Sequence, residues 1–207
     1  MLGRAGAAHP EEVVVLDPDR QAVEAARRDP LRFEPLYRKY VGQVYSYAVY
    51  ELGDRRAAED LTAQVFLQAL AALPRFRERG SGPDGASTFR VWLFRIARNV
   101  VSNERRGRRR HPTAPIEAAA FLAGHDDPAV QAADRDEIRR AWRAVSRLPD
   151  DRRRALVLRF VHEMTPAEIA AVLGRSEGAV RVLVHRALRS VADELRRPRR
   201  IDPGAGA

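Results

Sequence analysis

Residues 165–195 read TPAEIAAVLGRSEGAVRVLVHRALRSVADEL, and this stretch decides the fold. Thr165-Pro166-Ala167-Glu168 has the form of a capping box with proline at the first helical position. The helix it opens should bury Ile169, Val172 and Leu173 and end at Gly174, because glycine readily takes the left-handed conformation of a helix stop. Ser176 can cap a second helix, whose apolar stripe is Val180, Leu183, Val184, Ala187, Leu188, Val191 and Leu195. Its opposite face carries Arg181, Val182, His185, Arg186 and Arg189. A short helix, a glycine turn and a basic-faced second helix predict a helix-turn-helix. Such a helix fits the major groove, where arginine forks read guanine edges and apolar groups touch thymine methyls. An ordinary helical hairpin with solvated arginines has the same pattern.

Upstream, the helical three-four spacing recurs. Phe33, Leu36, Tyr37, Tyr40, Val41, Val44, Tyr45 and Ala48 form one stripe, and Leu61, Val65, Phe66, Ala69, Leu70 and Leu73 a second, ending at Pro74. Phe89, Trp92, Leu93, Ile96, Ala97 and Val100 form a third. Beyond residue 136, Ile138, Trp142, Val145 and Leu148 form another, stopped by Pro149. No stretch alternates like a strand, so the predicted fold is all-α, in two small helical domains joined by a flexible acidic linker. The expected divisions are an extension over 1–29, a first domain over 30–110, a linker over 111–135, a helix-turn-helix domain over 136–197 and a disordered tail over 198–207. Within the extension, Asp17 to Arg28 reads as a short helix with Asp17 as its cap and Pro18 in the first turn.

Charge separates these segments. The net charge is +9 and the pI about 10.9, which points to a polyanionic partner. Lys39 is the only lysine, so the arginine total also reflects composition; local distribution is more telling. From Phe89 to Arg110 there are eight arginines against Glu104, whereas Pro112 to Glu137 holds six acids against Arg135. On the predicted helix, Arg90, Phe94, Arg98 and Asn103 lie off the apolar stripe. Guanidinium and aromatic groups together suit an unpaired, stacked strand. Absence of cysteine excludes disulfides and thiolate metal sites, and no apolar run approaches the length of a bilayer span. Met1 to Pro10 lacks the apolar block of a secretory signal, so a cytoplasmic location without membrane insertion is expected.

Three stretches then resemble bacterial sigma factors of the extracytoplasmic-function type, in the sigma-70 family. Ala57-Ala58-Glu59-Asp60-Leu61-Thr62-Ala63-Gln64-Val65-Phe66-Leu67 is similar to the family's core-polymerase-binding helix. Thr88-Phe89-Arg90-Val91-Trp92-Leu93-Phe94-Arg95-Ile96-Ala97-Arg98-Asn99 resembles its promoter-melting, minus-ten-reading helix, and Leu148 through Leu195 its minus-thirty-five-reading domain. The resemblance implies promoter DNA and core RNA polymerase as partners, with docking on the clamp helices of the largest subunit through Asp60 and Gln64 and on the flap of the second largest. It assigns Arg90, Trp92, Arg95, Arg98 and Asn99 to the opened minus-ten strand. Arg159, Ser176, Arg181, Val182, His185 and Arg186 go to the minus-thirty-five duplex. An anti-sigma factor is a further partner it leaves room for. Ala63 stands where the family usually has glutamine, and the loop over 77–87 is longer than the family's connection.

Catalytic patterns fail at decisive positions. Gly80 to Gly85 has phosphate-loop spacing, but Ala86 replaces the lysine; His162-Glu163 begins a zinc-protease motif, but Pro166 replaces the second histidine. No catalytic residue, metal or cofactor is expected. Two alternatives remain: a helix-turn-helix regulator acting without core polymerase, and a protein-interaction module whose basic charge is compositional.

Overall fold

The structure, a computed structural model, describes residues 17–78, 87–108 and 132–196. They form eight α-helices: α1 (Arg20–Arg28), α2 (Glu34–Leu52), α3 (Arg55–Ala72), α4 (Thr88–Arg108), α5 (Ala132–Ser146), α6 (Asp150–Phe160), α7 (Pro166–Leu173) and α8 (Glu177–Arg196). Short 3-10 turns at Pro30–Phe33 and Leu73–Arg75 flank the first pair of long helices, and no strand occurs among the described residues. The extension before Asp17, most of the acidic linker, the tail and the centre of the loop over 77–87 lie outside them.

In the first region, α2, α3 and α4 pack through the stripes read from the sequence. Tyr40, Val44 and Tyr47 of α2 meet Ala58, Leu61, Val65 and Ala69 of α3 and Phe89, Leu93, Phe94 and Ala97 of α4, all buried. The sharp reversal between α2 and α3 follows from two adjacent residues. Gly53 is left-handed at φ 69° and donates to Val49 O, ending α2. Asp54 then accepts from the Ala57 N–H at 3.2 Å, opening α3.

In the second region, α6, α7 and α8 close around Leu158, Met164, Ile169, Val172 and Val180. Thr165 and Glu168 form both bonds of the capping box, at 3.2 and 2.8 Å. Gly174 ends α7 at φ 68°, and Ser176 Oγ accepts from the Ala179 N–H at 3.3 Å. The helix-turn-helix is built from the residues that announced it.

Three details differ from the sequence reading. Asp17 does not cap α1, which begins at Arg20 after Asp19 with no side-chain cap; its carboxylate reaches α4 instead. Phe94 is fully buried, its ring against Tyr47 and His162, so in this arrangement it is not presented for stacking. A helix following the 3.6-residue period has more angular room than its neighbours cover. Leu188 and Leu195 fall outside the covered arc of α8 and are exposed.

Candidate nucleic-acid interface

On α8, burial of Val180 and Ala187 turns the opposite face outward. Arg181, Val182, His185, Arg186 and Arg189 are all exposed, as is Ser176 at the helix start. Among the described residues Arg181 pairs with Glu177 of its own helix, at 3.1 Å. Exposed pairs of this kind contribute ~0–1 kcal/mol, so the guanidinium is readily exchanged to another acceptor. Arg159, exposed at the end of α6, donates to Met164 O at 3.0 Å.

The α4 arginines are placed differently. Arg95 Nε donates to Ala171 O at 2.6 Å and Arg98 Nη1 to Val172 O at 2.7 Å. Both carbonyls belong to the last turn of α7, where a helix leaves acceptors without internal partners and its dipole favours cations. Arg90 bonds Gln43 Oε1 at 3.2 Å, donates to His162 O and lies 3.6 Å from Glu168. Asn99 is exposed, its amide oxygen accepting from Arg98. Trp92 is half-buried, its ring 5.0 Å from Phe76 and 5.5 Å from Phe89. The structure thus brings Arg90, Arg95 and Arg98 together, but on the second region; Trp92 packs elsewhere on the helix.

Sequence reasoning missed the hub of this contact. Glu51, on α2, has a side chain with no exposed surface, and its Oε2 accepts from Arg105 at 3.2 Å and from Arg153 and Arg154 at 3.3 Å each. Arg154 also donates to Ser102 Oγ, Arg105 pairs with Asp150 at 2.8 Å, and Tyr50 stacks on Trp142 with ring centres 4.7 Å apart. Burial opposes ionisation of Asp150, but Arg105, Arg153 and Arg154 outweigh it and hold its carboxyl below the usual range. His162 is buried between Tyr47 and Phe94. Burial, reinforced by the Arg90 charge, lowers its pKa to about 3, so the imidazole is neutral near pH 7. The available signal was an acid, Glu51, among Tyr47, Ala48, Tyr50 and Leu52 of an otherwise apolar stripe.

A third surface lies on α3. Asp60 and Gln64 are exposed one turn apart and line a hollow of about 290 Å³ with Asp54, Arg56, Ala57, Leu61 and Glu104. Leu67, almost a turn beyond Gln64, is 68% exposed. Among the described residues no group of His, Cys, Asp and Glu side chains could hold a metal ion, and no helix is long and apolar enough to cross a membrane.

These surfaces coincide with two matched families. Residues 36–111 match sigma-70 region 2, and residues 138–191 match sigma-70 region 4. The chain is 32% identical over 183 residues to the RNA polymerase sigma-H factor of Pseudomonas aeruginosa, covering 84% of this chain and 91% of that one. The chain belongs to the extracytoplasmic-function sigma factors of the sigma-70 family. It is also 31% identical over 166 residues to the ECF sigma factor BldN of Streptomyces coelicolor, a match spanning 77% of this chain and 59% of the relative's length. Among solved structures, CnrH in complex with the cytosolic domain of CnrY superposes with a TM-score of 0.60 at 26% identity, covering 86% of this chain and 96% of that one. Accordingly α2 to α4 are called region 2 and α5 to α8 region 4 below.

Proposed function

We propose that this chain binds core RNA polymerase in the cytoplasm and directs initiation at specific promoters, catalysing no reaction itself. The carrying observation is one chain with cationic helical faces in both sigma-70 regions, on α4 and on α8. Asp60 and Gln64, exposed beside Leu67, are the proposed contact with the clamp helices of the largest subunit, and region 4 that with the flap of the second largest. Arg181, Val182, His185 and Arg186, with Ser176 and Arg159 in support, read the minus-thirty-five duplex. Arg90, Trp92, Arg95, Arg98 and Asn99 hold the opened minus-ten strand. Unpairing and flipping a base costs ~a few kcal/mol, which stacking and guanidinium contacts offset.

This role requires region 4 to leave α4, because Arg95 and Arg98 cannot serve the carbonyls of α7 and a phosphate backbone at once. Polymerase binding, which engages both regions, is the step that separates them. Since CnrH was solved with CnrY and an RpoE of this fold with an anti-sigma factor, an anti-sigma partner that holds the regions together fits the same scheme.

Pull-down with purified core polymerase, followed by transcription from mapped start sites, tests the proposal. The chain should bind core and confer a specific start, and Asp60→Arg should abolish core binding while leaving the helical circular dichroism unchanged. Failure of the native chain to bind core would overturn the reading. The exposed α8 face favours one second reading, a regulator that binds duplex alone; a gel shift that is sequence-specific without core and unaffected by core would establish it instead.

A further inference from the structure

A second buried polar network lies at the start of α4. Asp17 and Asp19, in the segment before α1, are only 4% and 3% exposed. One carboxylate oxygen of Asp17 accepts from the Thr88 N–H and hydroxyl, at 2.5 Å each, and from the Phe89 N–H at 3.2 Å. Its other oxygen accepts from the Asp19 N–H at 2.8 Å. Asp19 in turn accepts from the Ser87 hydroxyl at 2.7 Å, from Lys39 at 2.5 Å and from the Tyr40 hydroxyl. On the other side, the Asp17 N–H donates to Glu78 at 3.4 Å and Arg20 lies 3.7 Å from the same carboxylate. Residues 17–20 therefore grip Glu78, α2 and the first turn of α4 together.

A local cap is already present, since Ser87 Oγ accepts from the Arg90 N–H at 3.1 Å. What Asp17 adds is a tie across 71 residues, to the two N–H groups that Ser87 does not serve. Burial disfavours its charge, but bonds from Thr88, Asp19, Phe89 and Ser87 outweigh that and keep it ionised below the usual carboxylate range. A negative charge there also meets the positive end of the helix dipole. The tie bears directly on the DNA face. Phe89, whose N–H it holds, packs on Trp92 at 5.5 Å and on Tyr40 at 5.7 Å, and Arg90 is the next residue.

We propose that Asp17 and Asp19 are positioning residues for recognition of the opened strand, orienting Arg90 and Trp92 through the first turn of α4. The proposal rests on the minus-ten reading above. It gives the leading segment a role that acts through region 2 and leaves the α3 face untouched.

The test measures strand affinity with the full chain bound to core polymerase, and emission with the full chain alone in a Trp142→Phe background, where Trp92 is the one remaining tryptophan. Two quantities are measured: affinity for single-stranded DNA carrying the non-template sequence of a mapped promoter, and Trp92 emission. Asp17→Ala removes all four bonds that the carboxylate accepts and should weaken strand binding roughly three- to tenfold, the equivalent of about one net hydrogen bond passed on to the strand contact. It should also shift Trp92 emission and leave core affinity unchanged. Asp17→Asn, which keeps an acceptor for the helix N–H groups, should recover most of both. Thr88→Ala, a milder change that removes only the hydroxyl bond, should move both readouts in the same direction by less. Unaltered strand binding and emission in Asp17→Ala and Thr88→Ala, or core and strand affinity falling by the same factor, would overturn the proposal. Should the native holoenzyme bind a scrambled strand equally well, the minus-ten reading fails, whereas the emission arm still reports whether Asp17 orients Trp92.

Discussion

The arginines of α4 and those of α8 are chemically the same groups with different partners. On α8, Arg181 and Arg186 stand in solvent beside His185. On α4, Arg90, Arg95 and Arg98 end on carbonyls of region 4. The cause is packing geometry: His162 and the last turn of α7 present carbonyl acceptors to α4, whereas among the described residues no such acceptors meet Arg181 or Arg186 of α8. Basic surface read from sequence is therefore not the same as available surface. In this arrangement the α8 face proposed to read duplex is open, and the α4 face proposed to hold the opened strand is covered by region 4.

The contact that covers α4 is imperfectly satisfied, which favours the proposed opening. Among the described residues, four buried side-chain atoms without a hydrogen-bond partner, Tyr47 Oη, Glu51 Oε1, Arg153 Nε and His162 Nε2, belong to this one contact. Each such group costs ~1–3 kcal/mol relative to a hydrated one. Separation of the regions restores water to all of them, offsetting part of the loss of ion pairs.

The largest expected effect follows from the hub. Glu51→Ala leaves Arg105, Arg153 and Arg154 without their common carboxylate, and breaking a buried pair this way typically costs ~3–5 kcal/mol. Small-angle scattering should report a larger radius of gyration, and the free chain should gain affinity for single-stranded DNA. A variant that stays compact and ignores the strand would break the contrast between the two faces.

Next is Arg186→Ala, which should lose ~1–3 kcal/mol of promoter discrimination if the side chain reads a base edge. Competition binding with point-mutated duplexes measures it. Uniform weakening on every sequence would reassign Arg186 to phosphate.

A smaller, graded effect comes from acid. His162 has a pKa of about 3 in the closed state and an ordinary 6.5 once exposed, so the open state binds the proton first. Closure is at full strength above pH 6.5 and is lost progressively as pH falls from 6.5 toward 3. The slope is at most ~1.4 kcal/mol per pH unit. Asp150, held below its ordinary 3.8, adds to this only in stronger acid. The distance between labels on the two regions, followed from pH 7.5 to about pH 5, should lengthen in the native chain and stay constant in His162→Leu.

What the sequence made legible was local. Thr165, Glu168, Gly174 and Ser176 act within four residues of their partners, so capping rules placed them correctly, and the periodicity of α8 exposed Arg181, His185 and Arg186. Long-range partners escaped. The same capping rule that succeeds at Thr165 misassigned Asp17, whose helix lies 71 residues away. Phe94 was read as a stacking group because periodicity along α4 alone cannot show that Tyr47 and His162 cover its second side. Glu51 is legible only in retrospect, as a charge at a core position that demanded a partner.

Titration of labelled single-stranded non-template DNA with the chain alone, and then with the chain plus core polymerase, puts the central claim to the most direct test. Sequence-specific binding should appear only with core and should weaken in Arg98→Ala. Equal binding with and without core, indifferent to Arg98→Ala, would contradict both the covered face and its proposed use.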